Sequence, residues 1–131
     1  MVELYKTIKR DKITLHYIGM DMINAADTLE EVIDSYDILA KQYCLYDKKL
    51  FIEVTILPSK KEYDKFLSNE LGLKNEIPTK KSEVSRSYMN NIVLLSRFAY
   101  SEETTVKYSR EFYYKTIQER VKEVFETFIA I

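Results

Sequence analysis

The chain has one cysteine, one histidine, no tryptophan, and only two glycines and two prolines among its 131 residues. Each scarcity excludes something. A lone cysteine forms no intramolecular disulfide, so the secreted, disulfide-stapled class is set aside, and Cys44 is expected to be a small buried hydrophobe at the end of a helix. The lone histidine, His16, cannot supply the imidazoles of a His-based catalytic zinc site. So little glycine and proline favours long elements joined by short turns over a loop-rich or disordered chain. The opening MVELYKTIKRDK lacks an apolar run of signal-peptide length, and no stretch approaches the roughly 18 apolar residues of a membrane span. A soluble protein of the cytoplasm is the expectation. Charge has no dominant sign either, with 20 Lys and Arg against 21 Asp and Glu. Lys48-Lys49, Lys60-Lys61 and Lys80-Lys81 are separated and interleaved with acids, which suits solvated turns and helix starts and not a nucleic-acid groove. Neither nucleic acid nor a membrane is implied as a partner.

Eleven tyrosines and six phenylalanines supply the bulk for a core. A chain of this length buries roughly two-thirds of the surface it exposes when unfolded, enough for one domain, residues 1–131, without staples. After a short charged lead, ITLHY at 13–17 alternates as a half-buried strand, with His16 read as a packed or rim histidine. Residues 21–43 carry Met22, Ala25, Leu29, Val32, Tyr36 and Ala40 at helical spacing. LFIEVTIL at 50–57 is apolar almost throughout, as a strand covered on both faces would be, so strand, helix and strand predict a parallel crossover. Ser59, with Glu62 three residues on, predicts the N-cap of a second helix that turns Tyr63, Phe66 and Leu67 inward.

Residues 74–82, polar and containing Pro78, form the one sizeable loop. Two strands at 83–88 and 91–96 then make a hairpin about Met89-Asn90-Asn91, where the asparagines tolerate positive φ. A last helix spans about 104–130 on Val106, Tyr113, Ile117, Val121, Val124 and Phe128. The fold class is α+β, in the order β-α-β-α-β-β-α, with about four strands in a mixed sheet, one of them antiparallel, and three helices. Phe112, Tyr113 and Tyr114 form an aromatic cluster that could feed a dimer interface. No residue pattern fixes an oligomeric state.

The middle of the last helix reads Gln118-Glu119-Arg120-Val121-Lys122. In H-E-x-x-H, two imidazoles at i and i+4 bind zinc from one helix face while the glutamate acts as base. Here only the glutamate is present, and the pentapeptide is also what an ordinary solvated helix surface contains. The order of elements nevertheless resembles the N-terminal subdomain of the gluzincin, or peptidase-MA-like, zinc metallopeptidases. ITLHY precedes a long helix, Ile56-Leu57-Pro58-Ser59 runs into a capped helix, and a hairpin ends in an apolar strand before an aromatic at Tyr100 and the last helix. The resemblance covers roughly residues 12 to 130. It places the family's metal-binding histidines on Gln118 and Lys122 and its general base on Glu119. It implies a zincin-like fold with a degenerate site. Gln is a poor ligand and Lys is protonated, and the nine residues after Lys122 give the family's third ligand, a glutamate on a later helix, no place. No metal, no cofactor and no peptidase activity are expected.

Three functions remain. The first is a non-catalytic protein- or peptide-binding domain. The family's edge strand pairs with substrate backbone, and here Val84, Arg86 and Tyr88, with Gln118, Glu119 and Lys122 opposite, would line the groove. The second is a hydrolase, either metal-independent or completed by a partner chain, although no nucleophile–base pair is visible along the sequence. The third is a small single-target regulator or inhibitor carried by a mobile element.

Overall fold

The computed structural model describes residues 5–45 and 50–130, which form one small α+β domain. Its sheet has five strands: β1 (Lys6–Arg10), β2 (Ile13–Tyr17), β3 (Ile52–Leu57), β4 (Ser85–Tyr88) and β5 (Asn91–Leu95), in the spatial order β1-β2-β3-β5-β4. β2, β3 and β5 run parallel in the centre, and β1 and β4 are antiparallel edges. Four helices accompany them: α1 (Met22–Gln42), α2 (Lys60–Asn69), the one-turn α3 (Tyr100–Glu103) and α4 (Arg110–Ala130).

These counts correct the expected four strands and three helices. β1 hides in the charged lead, because KTIKR offers one apolar residue and its hairpin turn is Asp11-Lys12, with Asp11 at φ 54°. Lysines on an edge strand discourage pairing with other chains, and they also erase the strand's hydrophobic signature. The last helix is shorter than expected because Thr104 closes α3 by bonding back to Tyr100, while Ser109 opens α4 by accepting the Phe112 N–H at 3.1 Å. The β4–β5 turn also differs in detail. Met89, not an asparagine, takes the positive φ of 53°.

Strand parity sorts the sheet into two faces. Ile13, Leu15, Ile52, Val54, Ile56, Ile92 and Leu94 share one, and all are essentially buried. α1 and α4 cover this face and pack on each other. α1 meets the sheet through Leu29, Val32 and Tyr36, and α4 through Ile117, Val121 and Phe125. Each fully buried aliphatic of this kind contributes about 1.5–3 kcal/mol. α2 lies against β3 and β5 on the opposite face, where Tyr63 and Leu67 are buried. Its N-cap is Ser59, as expected, with the Glu62 N–H donating to Ser59 Oγ at 3.2 Å. A carboxylate adds to it: Glu103 of α3 accepts the Lys60 N–H at 2.9 Å, an anion at a helix N-terminus.

Several side chains depart from expectation. Cys44 is exposed, at φ 55°, just beyond α1, and is not a core hydrophobe. Tyr113 is fully buried and only Phe112 of the aromatic cluster is exposed. Lys60 is no solvated helix start, since its ammonium reaches Thr79 Oγ1 at 2.6 Å, the Glu83 carbonyl at 2.9 Å and the Lys80 carbonyl at 3.1 Å. Burial pulls its pKa below the usual lysine range. Lys48-Lys49 lies outside the described residues. Among those residues no helix is long and apolar enough to cross a membrane.

A buried hydrogen-bond chain joins α1 to α4. Thr28 Oγ1 donates to the Asn24 carbonyl at 2.7 Å, so Tyr113 Oη donates to Thr28 Oγ1 at 2.9 Å while accepting from Asn24 Nδ2 at 3.1 Å. Burial raises the Tyr113 pKa to about 12. Tyr113→Phe leaves two buried polar groups without their partner and is expected to cost about 1–3 kcal/mol in urea unfolding. A loss near zero would contradict the role given to this chain.

Asp21 is fully buried, and its Oδ1 accepts from Ser96 Oγ at 2.8 Å, while Oδ2 has no hydrogen-bond partner among the described residues. Burial raises its pKa above 3.8. The folded state therefore holds this proton more tightly than the unfolded chain, and the associated stability is lost as pH rises through the raised value. Asp21→Asn keeps an acceptor for Ser96 and removes the ionisation. Its urea midpoint relative to the parent is expected to improve between about pH 3 and pH 7, and a pH-independent difference would contradict the assignment.

Candidate functional site

A groove of about 330 Å³ runs between the β4 edge and α4. Its walls follow from the pairing of β4. Leu95 donates its N–H to the Val84 carbonyl at 2.9 Å, and the register continues as Arg86 opposite Val93 and Tyr88 opposite Asn91. In an antiparallel ladder hydrogen-bonded pairs alternate, so Val84, Arg86 and Tyr88 turn their backbone groups toward β5, and Ser85 and Ser87 turn theirs outward. No described strand lies beyond β4. The same two serines point their side chains at α4. Ser87 Oγ donates to Glu123 at 2.6 Å, and Arg120 Nη1 donates to Ser85 Oγ at 3.3 Å. Ser85 is 7% exposed and forms the groove floor.

On α4 the groove wall is Glu119, Arg120 and Glu123, with Phe112 at one end. Arg120 Nη2 lies 3.0 Å from Glu123 and 3.6 Å from Glu119. On the other face of β4, Glu83 is the hub. Its carboxylate accepts from Tyr63 Oη at 2.7 Å and from Arg86 at 2.6 and 3.1 Å, and Arg86 also pairs with Glu76 at 2.6 Å. The hydrogen bonds Arg86 donates to Glu83 raise its pKa, burial working against them, and burial with the adjacent Glu83 raises that of Tyr63. The 74–82 loop folds onto this side, where Thr79 donates its hydroxyl to Asp64, and its last residue, Ser82, borders the groove.

The expected site residues are therefore divided. Glu119 lines the groove. Gln118 and Lys122 do not: they lie in a second groove of about 310 Å³ between α1 and α4, where Gln118 Nε2 donates to Glu31 at 3.2 Å. Adjacent helix positions are about 100° apart, so Gln118 and Glu119 look into different grooves. The i, i+4 pair facing the strand edge is Glu119 with Glu123, a register the H-E-x-x-H comparison misses. Val84 and Arg86 also border the groove, as expected, although the parity of β4 aims the Arg86 side chain at Glu83 and Glu76; Tyr88 does not border it, and Ser85 and Ser87, which were not expected, do. Among the described residues, no three His, Cys, Asp or Glu side chains stand close enough to hold a metal ion.

A second arrangement escaped the sequence. His16 Nε2 lies 2.7 Å from Glu53 Oε2, and Nδ1 lies 2.9 Å from Thr7 Oγ1. With Nε2 protonated toward the carboxylate, Nδ1 accepts from the Thr7 hydroxyl. His16 and Glu53 of this hydroxyl–imidazole–carboxylate chain border a cleft of about 310 Å³ with Phe66 and Asn91. Thr7 is in the unforeseen β1, so the pair could not be found without the strand.

Comparison of the chain with protein families, with curated proteins and with solved structures finds no match.

Proposed function

We propose that this domain binds an extended segment of another protein by adding it as a strand to β4, and that it does no chemistry on it. One observation carries the reading: the backbone N–H and C=O groups of Ser85 and Ser87 face outward along a groove roofed by α4, with no described strand beyond them. An exposed edge gives main-chain hydrogen bonds, and a flanking groove gives side-chain selectivity. The layout fits the zincin-like resemblance, in that an antiparallel edge strand lies beside the last helix. With Gln118 and Lys122 turned toward α1, that resemblance lends the domain a peptide-holding frame and no metal chemistry.

Proline separates the outward groups from the fold. At position 87 it deletes an N–H that β5 does not use, which an edge strand tolerates. Ser87→Pro is expected to weaken binding of a display-selected peptide by about tenfold or more, the worth of one hydrogen bond with its desolvation. Ser87→Ala, which removes only the contact with Glu123, is expected to cost about 0.5–1.5 kcal/mol of stability and to keep binding. A selected peptide that binds Ser87→Pro undiminished would overturn strand addition at β4.

A second reading, metal-independent acyl transfer, is favoured only by the Thr7–His16–Glu53 chain. p-Nitrophenyl acetate tests it. Thr7 Oγ would attack the acetyl carbon, its proton would pass to His16 Nδ1, and p-nitrophenolate would leave acetyl-Thr7 behind. Sheet register alone accounts for the contacts, since Thr7 stands directly opposite His16 and Glu53 lies diagonally across β3. No acetyl-Thr7 is expected by mass spectrometry. Its appearance, and its loss in His16→Asn, would replace the binding reading with an enzymatic one.

A further inference from the structure

The chemistry of the added strand can be read from the groove, on the premise that strand addition at β4 holds. A residue placed opposite Ser85 or Ser87 sends its side chain to the sheet face those serines share, which is the face α4 covers. It meets Glu119 and Glu123 there, one helical turn apart. Arg120 sits beneath them. Its side chain is 21% exposed, against 53% for Glu119 and 45% for Glu123. The guanidinium donates to Ser85 and Glu123 and lies 3.6 Å from Glu119, so the surface offered to an incoming side chain is anionic.

The other side of β4 repeats this pattern. Arg86, 21% exposed, lies under Glu76, which is 49% exposed, and is clasped by Glu83. Around the edge, three outward carboxylates, Glu119, Glu123 and Glu76, thus lie over two guanidiniums, while Glu83 is tucked in beside Arg86. An acidic strand would bring its charges onto those carboxylates, whereas a basic one would find partners already held in place. Partial burial in the groove reduces solvent screening of such pairs compared with a flat surface.

We infer that the partner of this groove is a basic extended peptide, with a lysine or arginine opposite Ser85 or Ser87 seating its cation between Glu119 and Glu123.

Three synthetic peptides, alternating threonine with lysine, with glutamine or with glutamate, provide the test by fluorescence anisotropy against the full chain. The lysine peptide is expected to bind best and the glutamate peptide least. Raising salt, or combining Glu119→Gln with Glu123→Gln, should weaken the lysine peptide by about three- to tenfold, toward the glutamine peptide. Ser87→Pro should weaken the lysine and glutamine peptides alike. If these two bind equally and Ser87→Pro still blocks both, the basic preference is wrong and strand addition stands. If lysine-peptide binding ignores Ser87→Pro, both fail. Sedimentation covers a second copy of this chain as occupant: a dimer that Ser87→Pro disperses would overturn the inference.

Discussion

The carboxylate of Glu83 fixes the geometry on which the rest depends. It takes the buried Tyr63 hydroxyl and two Arg86 nitrogens, while its carbonyl takes the Lys60 ammonium. Arg86 is thereby committed to the α2 side of the sheet. Because side chains alternate along a strand, Ser85 and Ser87 are committed to the α4 side. Their backbone groups follow the same alternation and face outward. The hub is mostly buried, with the Glu83 side chain 18% exposed and that of Arg86 21%. Breaking it by removing one partner would strand a charge, which is the costly way to lose an ion pair. A short polar strand that could slip by one residue is in this way held in one register.

That register marks the limit of what the sequence reveals. The helix on Ala25, Leu29, Val32, Tyr36 and Ala40, the Ser59 cap and the apolar β5 were legible because each carries a period or a capping pattern set by local backbone geometry. SRSY carries none. Its residues are all polar or amphipathic, so nothing local says which parity faces α4, and a one-residue slip exchanges the faces. The expected groove of Val84, Arg86 and Tyr88 holds for the first two as bordering residues and leaves out Ser85 and Ser87, whose side chains face α4. The same shift occurred on α4, where aligning Glu119 with a zinc-motif glutamate drew attention to Gln118 and Lys122 and away from Glu123. β1 was invisible because two lysines and an arginine fill three of its five positions. With it went Thr7, and hence the partner of His16.

The two sides of the groove use one device. A guanidinium is paired with carboxylates, and at least one acid of each set stays outward. Arg120 does this with Glu119 and Glu123 outward, and Arg86 with Glu76 outward and Glu83 tucked in. The chain's near-neutral total therefore conceals a local surface with a definite sign, and partner choice follows from the local surface and not from the sum. Nearby, α1 and α4 are joined through Tyr113, Thr28 and Asn24, so the wall bearing Glu119 and Glu123 is fixed relative to the sheet. Binding at a preformed edge of this kind loses little to ordering the domain itself.

Amide hydrogen exchange along β4 tests the central claim most directly. With its N–H facing the groove, Ser87 should exchange faster than Arg86 and Tyr88, whose N–H groups belong to the β5 ladder, and a lysine–threonine peptide should slow Ser87 selectively. Protection of Ser87 in the free monomer equal to that of Arg86, or peptide-induced slowing confined to residues away from β4, would contradict the account.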